Sequence, residues 1–265
     1  MPRIPVDDAA DPRLAAYQQL NQQNPSRWAG HFIAEGDKVA KRLVASRYPV
    51  ESLLLLPEYA ERFEALVPAG TPLYVGSRQL LEATIGFNFH RGVLACGRRL
   101  APLTLDEALS ATATRATIVA CPDLKDPTNL GSILRTSAAL GVNAIVLGPQ
   151  CADYLSRRVV RVSMAAALQL PIVVAADIRG ILQRLKQDHG FELVATVVDS
   201  SAEPLAKAQR AEKMALVLGG EAHGLPPELV ALCNRRVTIP MQLGIDSLNV
   251  SVAAAVFLFH FCHQP

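Results

Sequence analysis

Three short segments of this chain bring together residue types that can hold a small molecule and act on it. The first runs from Asp126 to Gly141 and places Asn129 ahead of Arg135, with Gly131 between them. An amide and a guanidinium six residues apart, just after a strand pattern, stand where a ligand could be met. The second, Leu218 to Glu228, sets Gly219, Gly220 and Gly224 around Glu221 and His223. Glycines admit positive φ and let backbone approach a ligand closely, and a carboxylate between them is poorly placed for packing. The third, Ile239 to Ala253, joins Ile239, Pro240 and Met241 to Ser247, Leu248 and Asn249 at the head of a nearly all-apolar stretch. An amide there is expensive unless its polar atoms are satisfied.

Each segment also has a plainer reading. Asn129 or Thr128 fits the N-cap of a helix that Gly141 stops, with Leu130, Ile133, Leu134 and Ala138 as its apolar face. Arg135 is then an ordinary surface side chain. In the sharper reading the same residues stand at the C-terminal edge of a parallel sheet, where such folds bind ligands. The glycines of the second segment can serve a strand-to-helix turn that Pro227 completes, and His223 reads as an exposed loop histidine. Ser247 fits an N-cap for the last helix, and Asn249 can bond the neighbouring loop instead of a ligand.

The elements that must position these residues follow from apolar patterning. In the first part, strand patterns at Phe32–Gly36, Ser52–Leu56, around Pro72–Val75 and at Gly92–Cys96 alternate with helical patterns. The helices are expected at Asp37–Ser46, Ala60–Val67 and Ser77–Thr84. Leu100 to Arg115, with a short helical pattern at Leu105–Ser110, reads as a connector. Beyond it, Ala116–Cys121, Ala144–Leu147, Leu193–Val198, Ala215–Leu218 and Arg236–Ile239 are continuous apolar runs, as parallel strands covered on both faces require. Helices are expected between them at Leu130–Leu140, Ser156–Ala167, Ile178–Gln187, Pro227–Cys233 and Leu248–Phe261. The division is 1–100, a linker at 101–114, and 115–265.

Composition narrows the class. With 265 residues, 50% hydrophobic and a net charge of +2, the chain is neither disordered as a whole nor a purely electrostatic nucleic-acid binder. The five cysteines include no C-x-x-C pair, so neither a disulfide framework nor a structural zinc site fits, and no metal is expected. The apolar run Val250–Phe259 is short of the ~20 residues that span a bilayer. Without an apolar N-terminal stretch, the expectation is a soluble cytoplasmic protein with no membrane partner. The second segment is neither a Walker loop nor a G-x-G-x-x-G turn, which disfavours a nucleotide-dependent oxidoreductase.

Taken together and in order, N-x-G-x-x-x-R, G-x-E-x-x-G, I-P-M and S-L-N-V-S-x-A resemble the SpoU (TrmH-like) branch of the SPOUT RNA methyltransferases. The resemblance covers residues 115–262 closely and includes Ser156–Met164. Residues 12–98 are similar to the substrate-binding domain of many members, itself like a kink-turn-binding ribosomal protein. The resemblance implies an α/β protein with a C-terminal trefoil-knotted, mostly parallel sheet domain and a smaller N-terminal α/β domain. It implies a homodimer that uses S-adenosylmethionine to methylate a ribose 2′-hydroxyl of structured RNA, ribosomal before transfer RNA. Gly219, Gly220, Ile239, Pro240, Met241 and Leu248 would hold the cofactor. Asn129, Arg135, Glu221, Ser247 and Asn249 would form the catalytic end, with Arg135 acting across the dimer interface. Ala222 departs from the family where a second glycine is common, which is tolerable at negative φ. His260 stands where an acidic residue commonly ends the last helix.

RNA contact is expected from Lys38, Lys41 and Arg42 on the first helix and from Arg157, Arg158 and Arg161, although each set can equally be a solvated face. A competing reading is a non-catalytic RNA-binding or ribosome-assembly protein on the same fold. The presence together of Asn129, Arg135, Glu221 and Asn249 weighs against it.

Overall fold

The apolar runs of the sequence become strands of two sheets, each in its own compact unit. The computed structural model describes residues 3–18, 20, 30–111 and 114–264, so the expected linker falls partly outside the described residues. One unit comprises Met1–Ala101 with Asp153–Gln169, the other Pro102–Ala152 with Leu170–Pro265.

In the first unit, β1 (Arg3–Pro5), β2 (His31–Glu35), β3 (Val50–Leu55), β4 (Leu73–Val75) and β5 (Val93–Arg98) form a mixed sheet in the order β1-β4-β3-β5-β2. The helices α1 (Asp37–Val44), α2 (Pro57–Glu64) and α3 (Arg78–Ile85) connect its strands. The helix expected at Ala60–Val67 starts earlier, at Pro57, because a fixed φ and a missing N–H cost nothing at the first helical position. Leu14, Tyr17, Ile33, Leu54, Leu81 and Phe89 build one core here.

The second unit holds α4 (Leu105–Leu109) and seven strands that pair in parallel throughout. These are β6 (Ala116–Cys121), β7 (Ala144–Leu147), β8 (Ile172–Val174), β9 (Glu192–Thr196), β10 (Glu203–Pro204), β11 (Lys213–Val217) and β12 (Arg235–Thr238). Their order is β10-β12-β9-β11-β6-β7-β8. Every residue of β6 and β7 is buried, as a strand covered on both faces demands. The helices are α5 (Pro127–Ala139), α6 (Arg157–Val162), α7 (Ile178–Gln187), α8 (Pro227–Leu232) and α9 (Val250–Cys262); of these, α6 belongs to the first unit.

Three expectations need correction. Residues 115–265 do not group as one body. The segment 153–169 leaves β7, packs α6 on β2, and bonds Asp153 to Arg99 through Nη1 at 3.1 Å. The helix expected at Ser156–Ala167 stops at Val162, because Met164 and Ala165 turn left-handed (φ 52° and 62°) before a short 3-10 turn. The cap of α5 is neither Asn129 nor Thr128. Asp126 takes it, its carboxylate accepting from the N–H groups of Thr128 (2.7 Å) and Asn129 (2.8 Å), with Pro127 as the first helical residue.

Candidate active site

Adjacent parallel strands β6 and β11 release their chains at the same sheet edge, and that places the first two chemical segments side by side. After β11 the chain makes a narrow excursion from Gly220 to Gly224, closed at its neck by Gly220 N–H to Gly224 O (3.1 Å) and Gly224 N–H to Gly220 O (3.2 Å). Glycine is required at this neck. A Cβ on Gly219 would lie 2.7 Å from backbone atoms of Gly224, and one on Gly220 would lie 2.4 Å from the Asp123 carbonyl oxygen. Ala222 is not among the residues with positive φ, so the departure from glycine there is without strain.

The excursion points Glu221 at the start of α5. Its Oε1 accepts from Asn129 Nδ2 (3.1 Å) and from the Asp126 N–H (3.2 Å), and its Oε2 from the Lys125 N–H (3.4 Å). Asn129 Oδ1 in turn accepts from Asn249 Nδ2 at 3.0 Å. Asn249, not Ser247, caps α9: its Oδ1 takes the Ser251 N–H at 2.9 Å and the Ser251 hydroxyl at 2.7 Å. The expected cap at Ser247 fails because the helix begins at Val250, beyond its reach. The result is a directional relay from a carboxylate through two amides. Each amide is fixed in one orientation, since each must donate on one side and accept on the other.

Beneath this relay, the loop after β6 is held by sulfur. Cys151 Sγ accepts from the Leu124 N–H (3.3 Å) and donates to the Cys121 carbonyl (3.0 Å). Burial pushes both the Cys121 and Cys151 thiols above the ordinary thiol range, so they remain protonated in this role.

Beside the relay lies a cleft of about 670 Å³, within the second unit, of a size that holds a cofactor-scale molecule. Gly219, Gly220, Ile239, Met241 and Leu248 line it, together with Glu221, Ser247 and Asn249; Pro240 is not among the lining residues. Part of the wall carried no motif: Thr196 at the end of β9, Val197 and Val198 just beyond it, and Asp246. Position at or beyond the end of a parallel strand was the available signal for the first three. Among the described lining residues are two carboxylates and no lysine or arginine. Such a wall suits a cationic, partly apolar ligand and disfavours one carrying phosphates.

Arg135 stands apart. It is exposed, and among the described residues no hydrogen bond or ion pair engages it. Six residues along α5 from Asn129, it lies about 9 Å further up the axis and on a different face. The two halves of the first segment are therefore not joined within one chain. His260, in the position where an acid is common, places its Nε2 2.9 Å from the Ala208 carbonyl oxygen and 2.7 Å from Gln264 Nε2, so that one tautomer bonds the carbonyl and the other the amide.

Comparison with known proteins identifies the family. The model of the SpoU rRNA Methylase family matches residues 116–259, more than half of the chain, and the chain belongs to that family. An uncharacterised tRNA/rRNA methyltransferase of Mycobacterium tuberculosis is 38% identical over 262 residues, 96% of this chain and 90% of its own length. A 23S rRNA (guanosine-2′-O-)-methyltransferase of Acinetobacter baylyi is 32% identical over 204 residues, 76% of this chain and 82% of that one. Among solved structures, the AdoMet-bound rRNA methyltransferase of Sinorhizobium meliloti superposes with a TM-score of 0.82 at 25% identity, covering 97% of this chain and 96% of that one.

Proposed function

We propose that this protein methylates the 2′-hydroxyl of a ribose in structured RNA, using S-adenosylmethionine, and that its natural substrate is ribosomal RNA. The observation that carries the reading is the Glu221–Asn129–Asn249 relay at the rim of a cleft whose described lining includes two carboxylates and no lysine or arginine. When bound, the cofactor supplies a methyl group on a positively charged sulfur, already electrophilic. Backbone groups of Gly219, Gly220, Ile239, Pro240 and Met241, with the Leu248 side chain, would hold its adenosyl part; Glu221 and Asp246 put negative potential near its charge.

The chain's own task is alignment. Glu221 already accepts three N–H groups, so its role is to fix Asn129 and the Lys125–Asp126 backbone rather than to take a proton. Asn129 and Asn249, locked in one orientation, present amides at the cleft mouth where a ribose would sit, with Ser247 beside them. A guanidinium is effectively never deprotonated in proteins, so Arg135 orients the target phosphate and stabilises negative charge developing on the 2′-oxygen. Because Arg135 lies off the relay of its own chain, it acts from a second copy in a homodimer. The face of α9 formed by Val252, Val256 and Phe259, the last 63% exposed, is an apolar stripe suited to that pairing. The second unit is a trefoil knot whose loops are the cofactor-holding segments, and the N-terminal unit is the RNA-binding domain, similar to kink-turn-binding ribosomal proteins. The protein works in the cytoplasm; among the described residues no helix is long and apolar enough to cross a membrane.

Calorimetric titration with S-adenosylmethionine, on the wild type and on Gly219→Trp, tests the reading. Saturable binding lost in the variant, followed by methylated ribose in bulk ribosomal RNA, is the expected result. Methylation of transfer RNA alone would move the substrate to that class. Absence of cofactor binding both with and without RNA would leave only a non-catalytic RNA-binding role.

A further inference from the structure

Charge in the first unit is concentrated around one nearly buried carboxylate. Glu35, at the end of β2, is 4% exposed. Arg157 Nη1 lies 2.8 Å from its Oε2, and Arg161 Nη1 and Arg91 Nε each lie 3.5 Å from its Oε1. Three cations face one anion, so the cluster carries a surplus of two positive charges. A solvated basic face does not place a carboxylate underneath itself; here the carboxylate lets three guanidiniums stay together without a ligand.

The three arginines are not equivalent. Arg157 is an anchor: its guanidinium stacks 4.4 Å from the Phe87 ring centroid and donates to the Leu20 carbonyl at 3.4 Å. Burial is the strongest influence on it and lowers its pKa, with Arg161 adding in the same direction. Arg91 and Arg161 are open, with side chains 52% and 36% exposed. Each spends one nitrogen on Glu35 at a long distance, and among the described residues no second acceptor meets either fork. Gly36 gives Arg91 its place, being at φ +100° with the Arg91 Cδ only 3.2 Å from where a Cβ would stand. Two planar donor forks beside each other, with surplus positive charge and a fixed base, match an oxyanion with several oxygens.

We infer that Arg91 and Arg161, held by Glu35 and steadied by Arg157, bind a backbone phosphodiester of the RNA substrate. The inference rests on the RNA-methyltransferase reading and adds a specific contact to it. It also separates the basic residues of the first unit by role. Lys41 is paired with Asp37 at 3.0 Å and Arg42 donates to the Met164 carbonyl, whereas Arg91 and Arg161 share a single buried carboxylate.

The test is filter binding of bulk bacterial ribosomal RNA to the full-length protein across about 50–300 mM potassium chloride, where phosphate contacts declare themselves as salt dependence. Arg91→Gln and Arg161→Gln should each weaken binding several-fold and lower the slope of log K against log salt by about 0.7–0.9. Arg161→Lys should keep the slope, and all variants should keep wild-type affinity for S-adenosylmethionine by calorimetry. Unchanged slopes in both glutamine variants, with the wild type binding RNA normally, overturn this inference alone. A wild type that binds no RNA at all overturns the RNA reading and this inference together.

Discussion

Replacing Asn129 by Asp probes whether the relay depends on the direction of its hydrogen bonds. The new side chain keeps the shape of the old, and its Oδ1 still accepts from Asn249. The nitrogen that donated to Glu221 becomes a carboxylate oxygen, so two negative charges meet across the 3.1 Å that a hydrogen bond spanned. Coulomb's law gives about 1.3 kcal/mol for that separation at the dielectric of water, and about 5 kcal/mol at an effective dielectric of about 20. Glu221 is exposed and Asn129 partly so, which lets the charges part and hydrate; the lower figure governs. With one lost hydrogen bond of about 1 kcal/mol, the loss is about 2 kcal/mol, or about 4–8 °C in Tm. The sign with pH is fixed. Carboxylates this close share a proton as pH falls, so the folded variant binds more protons than its unfolded chain, and the deficit shrinks toward acid. Melting curves of both proteins at about pH 4.5 and about pH 8 measure this, with methyl transfer measured alongside. A Tm gap of equal size at both pH values, or full activity in the variant, would refute the directional relay.

The neck of the glycine excursion makes a graded prediction. Gly220→Ala drives a Cβ to within 2.4 Å of a backbone oxygen and should cost about 1–3 kcal/mol with loss of cofactor binding. Gly224→Ala meets nothing within 4 Å and strains only its φ of +65°, so about 1 kcal/mol is expected; thermal shift and calorimetry read both, and the reverse order would contradict the geometry. Burial, with the Glu51 carboxylate adding to it, pushes the Cys96 thiol up to about 12, and burial pushes Cys233 up to about 11, against an ordinary value of 9.0. Unfolded thiols ionise first as pH rises, so stability is intact below pH 9.0 and is lost above it. Urea unfolding from neutral pH to about pH 11 should show that decline, and Cys233→Ser should flatten part of it. Phe259→Asp places a charge in the exposed stripe of α9 and should convert a dimer to a monomer in light scattering, with methyl transfer lost and cofactor affinity retained. A wild-type monomer would remove Arg135 from the reaction.

Much of the second sheet was legible because its signals are local. Ala116–Cys121, Ala144–Leu147 and Ile178–Gln187 coincide with β6, β7 and α7, since a strand buried on both faces must be apolar throughout and an amphipathic helix must repeat its apolar face. The short strands β1, β8 and β10 carried too few residues to signal themselves. Residue identities at the site were readable as motifs, but their partners were not. Asp126 before Pro127 was a legible cap that Asn129 obscured, and the amide of Asn129 proved to be occupied by Glu221 and Asn249. That pairing spans loops far apart in sequence, and no spacing rule encodes it. The left-handed pair Met164 and Ala165 carries no glycine to announce it, so the helix through Ser156–Ala167 looked continuous. Burial of Glu35 under three arginines was equally invisible, because a strand-ending glutamate usually faces water.

The excursion of residues 153–169 has a consequence for how the chain is made and how it can be cut. A ribosome delivers the first 101 residues well before α6, and at about 5–20 residues per second the remaining stretch to Gln169 takes seconds to emerge. Until then β2 lacks its covering helix, and Glu35 has Arg91 but neither Arg157 nor Arg161. The N-terminal unit therefore cannot finish folding as a leader sequence and must wait for a piece of the chain that follows. It is not a cassette either. A graft or truncation at the connector would carry off the sheet and leave behind the helix that completes it, so exchange of this first unit between chains built this way requires two coordinated crossovers rather than one.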